Sequence, residues 1–340
     1  MPPAARISLI LLGGIAVVGV LEYAQVILAP IALAIVIGLM FGPLADRIER
    51  FGIPPWVSAF AAVLIFLALI ASLAATGFAV PLSDWMDRLP AIWARLQSEL
   101  TSWKGIFDSV GGLQEQLRQA MGQGEGMKVN VDDTSAVETV VYFAPALMAQ
   151  IVLFLASMYF FIATRNEFRE AVLSRCVAPR LRRRAAGTFL EVEDKVSRYL
   201  LSITGVNIVL GLAVAIVLFA LGVPSPLLWG LMAGVLNYVI YIGPAVMAVV
   251  LTGVGLATAD TAPGILLPPL AYLILNLIEA QIVTPHVLGR TMTLNPFLVF
   301  LALAGWIWLW GPVGGFIAVP ALIIAGTVIS NIAPEPSEPS

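Results

Sequence analysis

Long apolar runs, parted by short polar stretches, dominate this chain. A helix rises about 1.5 Å per residue, so roughly 20 apolar residues are needed to cross a hydrocarbon core about 30 Å thick. Runs at 7–21, 26–43, 56–80, 140–163, 201–222, 226–258, 264–284 and 296–330 meet or approach that length. The pattern predicts an all-α integral membrane protein with about eight membrane segments. Arg6 precedes the first run much as a basic residue precedes a secretory signal. The second run follows after only Glu22-Tyr23-Ala24-Gln25, so the pair reads as an uncleaved helical hairpin. The runs 226–258 and 296–330 are too long for one simple helix. Gly243 and Pro244 interrupt the first, and Gly311 and Pro312 the second. Proline removes a backbone donor and clashes with the preceding turn, so broken helices are expected in the C-terminal half. If 226–258 turns back inside the bilayer, every later side assignment inverts.

The polar stretches divide the chain into five parts. Residues 1–80 form a membrane hairpin and a third span. Residues 81–139 form an extracytoplasmic amphipathic region, in which Trp93, Leu96, Leu100 and Trp103 recur at helical spacing between Trp85 and Phe107. Such a helix suits either the outer membrane surface or packing against the protein's other helices. The tract Gly122-Gln123-Gly124-Glu125-Gly126 reads as a loop. Residues 140–200 hold a fourth span and a basic helix over 166–200, with Val192, Val196, Tyr199 and Leu200 on one face. The arginines of 164–200, with Arg47 and Arg50 of the loop 44–55, predict that both stretches and the N-terminus are cytoplasmic. The cluster over 180–184 suits either anionic headgroups or a solvated topological signal. Residues 201–332 form the expected transport core, and 333–340 a disordered tail.

The core repeats itself. A helix with Asn207 leads to Pro226, an apolar stretch, and Gly243 with Pro244. A helix with Asn276 leads to Pro296, an apolar stretch, and Gly311 with Pro312. Glycine pairs four residues apart, Gly230 with Gly234 and Gly311 with Gly315, accompany both. Transporters are often built of such repeats, with broken helices at matching positions lining the site.

Composition sharpens this reading by exclusion. Of 340 residues, 60% are hydrophobic and 11% charged, against roughly 25% charged in a soluble domain. The bilayer must therefore serve as part of the solvent. A net charge of −3 points to no partner class, and no basic, aromatic-interleaved face suggests nucleic acid. One cysteine, Cys176, excludes an intrachain disulfide, and one histidine, His286, excludes a two-histidine metal motif. Phosphate-loop, H-E-x-x-H and G-x-S-x-G patterns are missing, so no enzymatic activity is expected. Nor is any bound cofactor or metal; Na+ or H+ are candidate transported or coupling ions.

Candidate chemistry lies in polar residues within apolar runs, because a charge at the bilayer centre costs about 2.5–3.5 kcal/mol on insertion scales. Glu279 interrupts the run 270–283, with Asn276 one turn earlier on the same side. A carboxylate beside an amide suits Na+, H+ or a polyhydroxylated solute; alternatively Glu279 pairs with Arg290 beyond Pro285. Asn237 and Tyr241, just before Gly243 and Pro244, offer a second candidate. There, carbonyls freed at the break line a cavity, or Asn237 bridges helices. Thr204 and Asn207 read as interhelical glue. His286 and Arg290 form a candidate switch. Trp306, Trp308 and Trp310 suit a lipid-interface belt more than substrate stacking.

The string Asn237-Tyr238-Val239-Ile240-Tyr241-Ile242-Gly243-Pro244, after Trp229-Gly230, resembles the autoinducer-2 exporter family, also described as PerM-like permeases. Asn276, Glu279, Pro285, Gly289, Asn295-Pro296, Gly311-Pro312, Gly314-Gly315 and Val319-Pro320 come after it in that family's order. The resemblance covers nearly the whole chain. It implies a multi-pass transporter of the bacterial inner membrane, and a homo-oligomer, with a pentamer one arrangement. It also implies export of autoinducer-2 or another small polar solute, or sodium (lithium)/proton antiport. A non-transporting membrane scaffold is the reading from another class. The expected pathway residues are Asn237, Tyr241, Gly243, Pro244, Asn276, Glu279, Gly311 and Pro312.

Overall fold

A computed structural model describes residues 3–78, Trp85, Ile92, Ala94, Arg95, 136–175, 178–288 and 295–332. The helices run α1 (Pro3–Tyr23), α2 (Gln25–Glu49), α3 (Pro55–Leu73), α4 (Ala136–Ser174), α5 (Pro179–Ala220), α6 (Pro226–Leu236), α7 (Ile242–Thr258), α8 (Ala262–Ile278) and α9 (Pro296–Ile332). α3 is prolonged by a π-helical turn, Ala74–Phe78. α8 continues through another, Glu279–Val283, to Thr284–Leu288. Among the described residues, six helices are long and apolar enough to cross a membrane, and Leu11–Tyr23, Pro226–Leu236 and Ile242–Thr258 are shorter apolar ones. The chain is an all-α membrane protein. Proline opens α3, α5 and α6, where its missing N–H costs no helical bond. Thr261 caps α8, its hydroxyl accepting from the Gly264 amide.

One end of the bundle is marked by ionic contacts. Arg165 of α4, its side chain only 8% exposed, pairs with Asp46, with Glu193 at 3.2 Å and with Glu49 at 3.8 Å. Ser58, in the first turn of α3, donates to Glu49 at 2.9 Å. This basic end joins α2, α3, α4 and α5, and beyond it α4 and α5 project as a helical arm. The stretch 166–200, expected as one helix, is instead split: α4 carries the chain to Ser174, and α5 runs unbroken from Pro179 to Ala220. The basic helix and the fifth span are thus one rod of about 63 Å. Nothing between them breaks a helix, and Val196, Tyr199, Leu200 and Ile203 give it one continuous buried face.

The far end is marked by Gly77, at the other end of α3, which lies against the Leu231 side chain of α6. Trp85 packs edge-on against Trp229, ring centroids 4.9 Å apart. Arg95 donates to Ala259 O and Asp260, both at 2.9 Å. Trp85 therefore packs on the protein rather than on lipid. Trp93, Leu96, Leu100, Trp103, Phe107, the tract 122–126 and the tail 333–340 lie outside the described residues.

Candidate functional site

The far-end contacts decide how the run 226–258 is folded. Trp229 begins the run and Asp260 lies just past its end, yet both are held by the short segment from Trp85 to Arg95. α6 has 11 residues, about 16 Å, half the hydrocarbon thickness. The chain then turns through 237–241, and α7 returns to the far end. Tyr241 takes φ 66° at this turn, a left-handed value that non-glycine residues seldom adopt. Gly243 lies so close to Leu236 that a Cβ would overlap its carbonyl oxygen. The two legs, α6 and α7, form a re-entrant hairpin rooted at the far end. Close glycine packing seats it against α5: a Cβ on Gly234 would stand 2.8 Å from Asn207 O.

The last helix repeats the device from the other side. α8 brings the chain back, and its extension Thr284–Leu288 packs against α5, Leu288 joining the cluster that holds Val196. α9 then rises to a break at Trp310 (φ −132°) and Gly311 (φ 60°) and descends again. Trp310 Nε1 donates to Leu21 O at 3.0 Å, near the far end of α1, whereas Asn331 Nδ2 donates to Glu191 at the basic end, 2.7 Å. A Cβ on Gly314 would overlap Trp306 O, as one on Gly243 overlaps Leu236 O. The repeat is thus a pair of hairpins entering from opposite ends, the arrangement of an inverted repeat. They meet inside the bundle: Tyr238 packs on Phe316 at 5.1 Å, and Val239 abuts Gly315.

Beside that meeting point runs a line of amides, two of them buried and Asn276 half-buried. Asn237, 8% exposed, donates from Nδ2 to Asn207 Oδ1 at 2.8 Å. Its Oδ1 accepts from Asn276 Nδ2 at 3.2 Å. Tyr238 OH donates to Thr204 at 2.7 Å, and Thr204 in turn to Leu200 O at 2.6 Å. The line crosses α5, the first hairpin and α8. Glu279, 7% exposed, opens the π turn one helical turn beyond Asn276 and accepts from the Thr284 hydroxyl. The wider turn is what lets a residue five positions on reach back to the carboxylate. π turns concentrate at functional sites.

The structure brings Asn237, Asn276 and Glu279 to one region, with Gly243 and Pro244 in the turn above. Gly311 and Pro312 form the break of the second hairpin, further toward the far end. Tyr241 does not join them. It is 58% exposed, because its left-handed backbone turns the side chain out of the cluster. His286 is exposed, its Nδ1 2.6 Å from Ile282 O, whereas Glu279 is buried. Arg290 lies outside the described residues. Trp310 is buried and Trp308 exposed, so the three tryptophans form no single belt. Tyr272 was not anticipated. It is fully buried, and among the described residues its hydroxyl has no hydrogen-bond partner. Its spacing from Asn276 and Glu279, four and seven residues, puts all three on one face of α8 and was readable in the sequence. Among the described residues, no group of three His, Cys, Asp or Glu side chains forms a metal-binding cluster.

Comparison with known proteins fits this architecture. A family model for AI-2E family transporters matches residues 7–333. The AI-2 transport protein TqsA of Escherichia coli (strain K12) is 27% identical over 325 residues, covering 92% of this chain and 88% of the relative. A candidate transport protein of Borreliella burgdorferi is 23% identical over 332 residues, covering 93% and 84%. YrrI of Bacillus subtilis (strain 168), likewise named as a candidate transport protein, is 31% identical over 143 residues, 42% of this chain and 40% of its own. Two broken helices at matching positions and a sequence match along almost the entire length lead to one assignment: this chain belongs to the AI-2E family of transporters.

Proposed function

We propose that the protein carries a small polar solute of the autoinducer-2 type out of the cell, through the region where the two hairpins meet. The observation that carries this reading is the line of buried Asn207 and Asn237 and half-buried Asn276 beside buried Glu279, where hairpins from opposite ends converge. Carboxamides offer both donors and acceptors, which suits a solute rich in hydroxyl groups. Each hairpin is rooted in a different face, so either can yield to its own compartment while the other stays closed. The name of the Escherichia coli relative supports the substrate class. The excess of positive charge at the basic end supports a cytoplasmic side for it in a bacterial inner membrane, and the family resemblance supports a homo-oligomer as the working unit.

Efflux from proteoliposomes loaded with autoinducer-2 tests the proposal. The native protein should release it faster than empty liposomes. Asn237→Ala and Asn276→Ala should slow release about tenfold, the factor that roughly 1.4 kcal/mol of lost interaction produces. Release at the native rate from both variants, or none from folded native protein, sinks it.

Burial of Glu279 favours a second reading, sodium (or lithium)/proton antiport with this carboxylate exchanging the two ions. Liposomes holding a pH-sensitive dye would report proton flux when sodium is added outside. Flux abolished by Glu279→Gln supports antiport; no flux from folded protein excludes it and leaves the solute exporter.

A further inference from the structure

The face of α8 that carries Asn276 and Glu279 also carries Tyr272, which the proposed pathway leaves unused. Tyr272 stands four residues before Asn276 and ten after Ala262, about 15 Å from the far end. It is 1% exposed. It shares one buried cluster with Leu210 and Val214 of α5, Leu228 and Ala233 of α6, and Met247 and Leu251 of α7. Those six neighbours are apolar and offer its hydroxyl nothing. Trp229, in the same cluster, has its Nε1 bonded to Pro224 O at 3.0 Å. The Tyr272 hydroxyl is buried too, and among the described residues it has no hydrogen-bond partner.

A hydroxyl buried without a partner has given up its bonds to water and gained none, so it destabilises the arrangement that buries it. Phenylalanine would fill the same space without that penalty. Here the arrangement is the closed far side. α7 lies tightly on α8, where a Cβ on Gly255 would stand 2.2 Å from Ile265 O. Two helical turns deeper, Tyr272 sits where α8 meets α5 and both legs of the first hairpin. Movement of that hairpin away from α5 and α8 parts the cluster and brings water or solute to the hydroxyl. The same movement opens the far compartment in the export cycle. The inference rests on the two-sided access of that reading and not on the identity of the solute.

We propose that Tyr272 is a further working residue of the transport cycle: its hydroxyl, unpaired while the first hairpin is shut against α8, finds partners when the hairpin opens, and so weights the cycle toward opening on the far side. The residue acts through the balance of two arrangements, shifting it by the difference in how well each satisfies one hydroxyl. Asn276, one turn further along the same face, already has Asn237 as a partner in the closed form. Tyr272 is therefore the polar group of this face that gains most from opening.

The test uses sealed, oriented vesicles of Cys176→Ser protein with Leu251→Cys as reporter. Leu251 is fully buried, so an impermeant thiol reagent on the far side reaches that position only when the hairpin opens. Adding Tyr272→Phe should slow labelling about tenfold, a factor within reach of one hydroxyl's lost hydrogen bonds. In detergent the variant should unfold at the same temperature or higher. Met247→Cys, in the same cluster, should be slowed alike. Ile317→Cys, buried in the second hairpin and labelled from the basic end, should not be slowed. Labelling unchanged by Tyr272→Phe overturns the proposal, as does no labelling of either reporter when the tyrosine is present. Equal slowing at Ile317→Cys also overturns it, by showing a general stiffening. A lower unfolding temperature does so too, because it would make the hydroxyl a structural bond. If autoinducer-2 release fails while labelling still depends on Tyr272, the solute is wrong and this role of Tyr272 stands.

Discussion

At the residue scale, two glycines carry the architecture. Gly243 and Gly314 each lie against a carbonyl oxygen of the leg before them, where a Cβ would overlap it. The oxygen belongs to backbone, so it cannot swing aside as a flexible side chain would. Overpacking of this kind costs typically 1–3 kcal/mol or more. Gly243→Ala and Gly314→Ala should each reduce the yield of monodisperse protein on size exclusion. Gly253→Ala is the control, since a Cβ there meets nothing within 4 Å, and it should behave as native. Equal yields from all three would mean that the hairpins are not folded as tightly as described. Asn237 shows a different residue-scale logic. An amide inside a membrane needs partners, and both of its polar atoms have found them, on two different helices. Its polarity marked it in the sequence, but the identity of its partners depends on how three helices cross and could not be read there.

At the element scale, Arg165 decides how the first half of the chain meets the second. It is the buried centre between Asp46 and Glu49 of α2 and Glu193 of α5. α2 leaves room for it at Gly42, where a Cβ would stand 2.8 Å from Nη1. Arg165→Met keeps the apolar stem but strands three carboxylates together. Breaking such a buried pair from one side costs about 3 kcal/mol, so thermal unfolding in detergent should fall sharply. Glu193→Gln removes one acid of three and keeps a hydrogen-bond acceptor, so its effect should be much smaller. Similar losses from both would show that Arg165 depends on Glu193 alone. Helices themselves were largely legible, since apolar runs bounded by charge or proline fix where a span begins and ends. Two features were not. The continuity of α5 across 201 depends on nothing interrupting it, and a change from charged to apolar residues looks like a boundary without being one. The outward turn of Tyr241 comes from a left-handed backbone that no residue at that position announces.

At the scale of the whole molecule, the question is which ends of the chain's segments share a side of the membrane. The Gly-Pro breaks announced two interrupted helices, yet a break is equally compatible with a kinked span and with a hairpin. The choice is made by contacts distant in sequence, Trp85 with Trp229 and Arg95 with Asp260 at one end, Asn331 with Glu191 at the other. These make a definite prediction for a membrane-impermeant thiol reagent applied to sealed, oriented vesicles of Cys176→Ser protein. Leu221→Cys and Asp260→Cys flank the first hairpin and should label from one side. Asn295→Cys and Ser330→Cys flank the second and should label together with Arg183→Cys from the other. A kinked span at 226–258 would instead separate Leu221→Cys from Asp260→Cys, and a kinked α9 would separate Asn295→Cys from Ser330→Cys. Either separation removes the opposed roots on which two-sided access depends, because a pathway gated from both faces needs one hairpin anchored in each. Agreement within each pair, with the pairs on opposite faces, would support the amides of Asn207, Asn237 and Asn276 as a polar region that both compartments reach in turn.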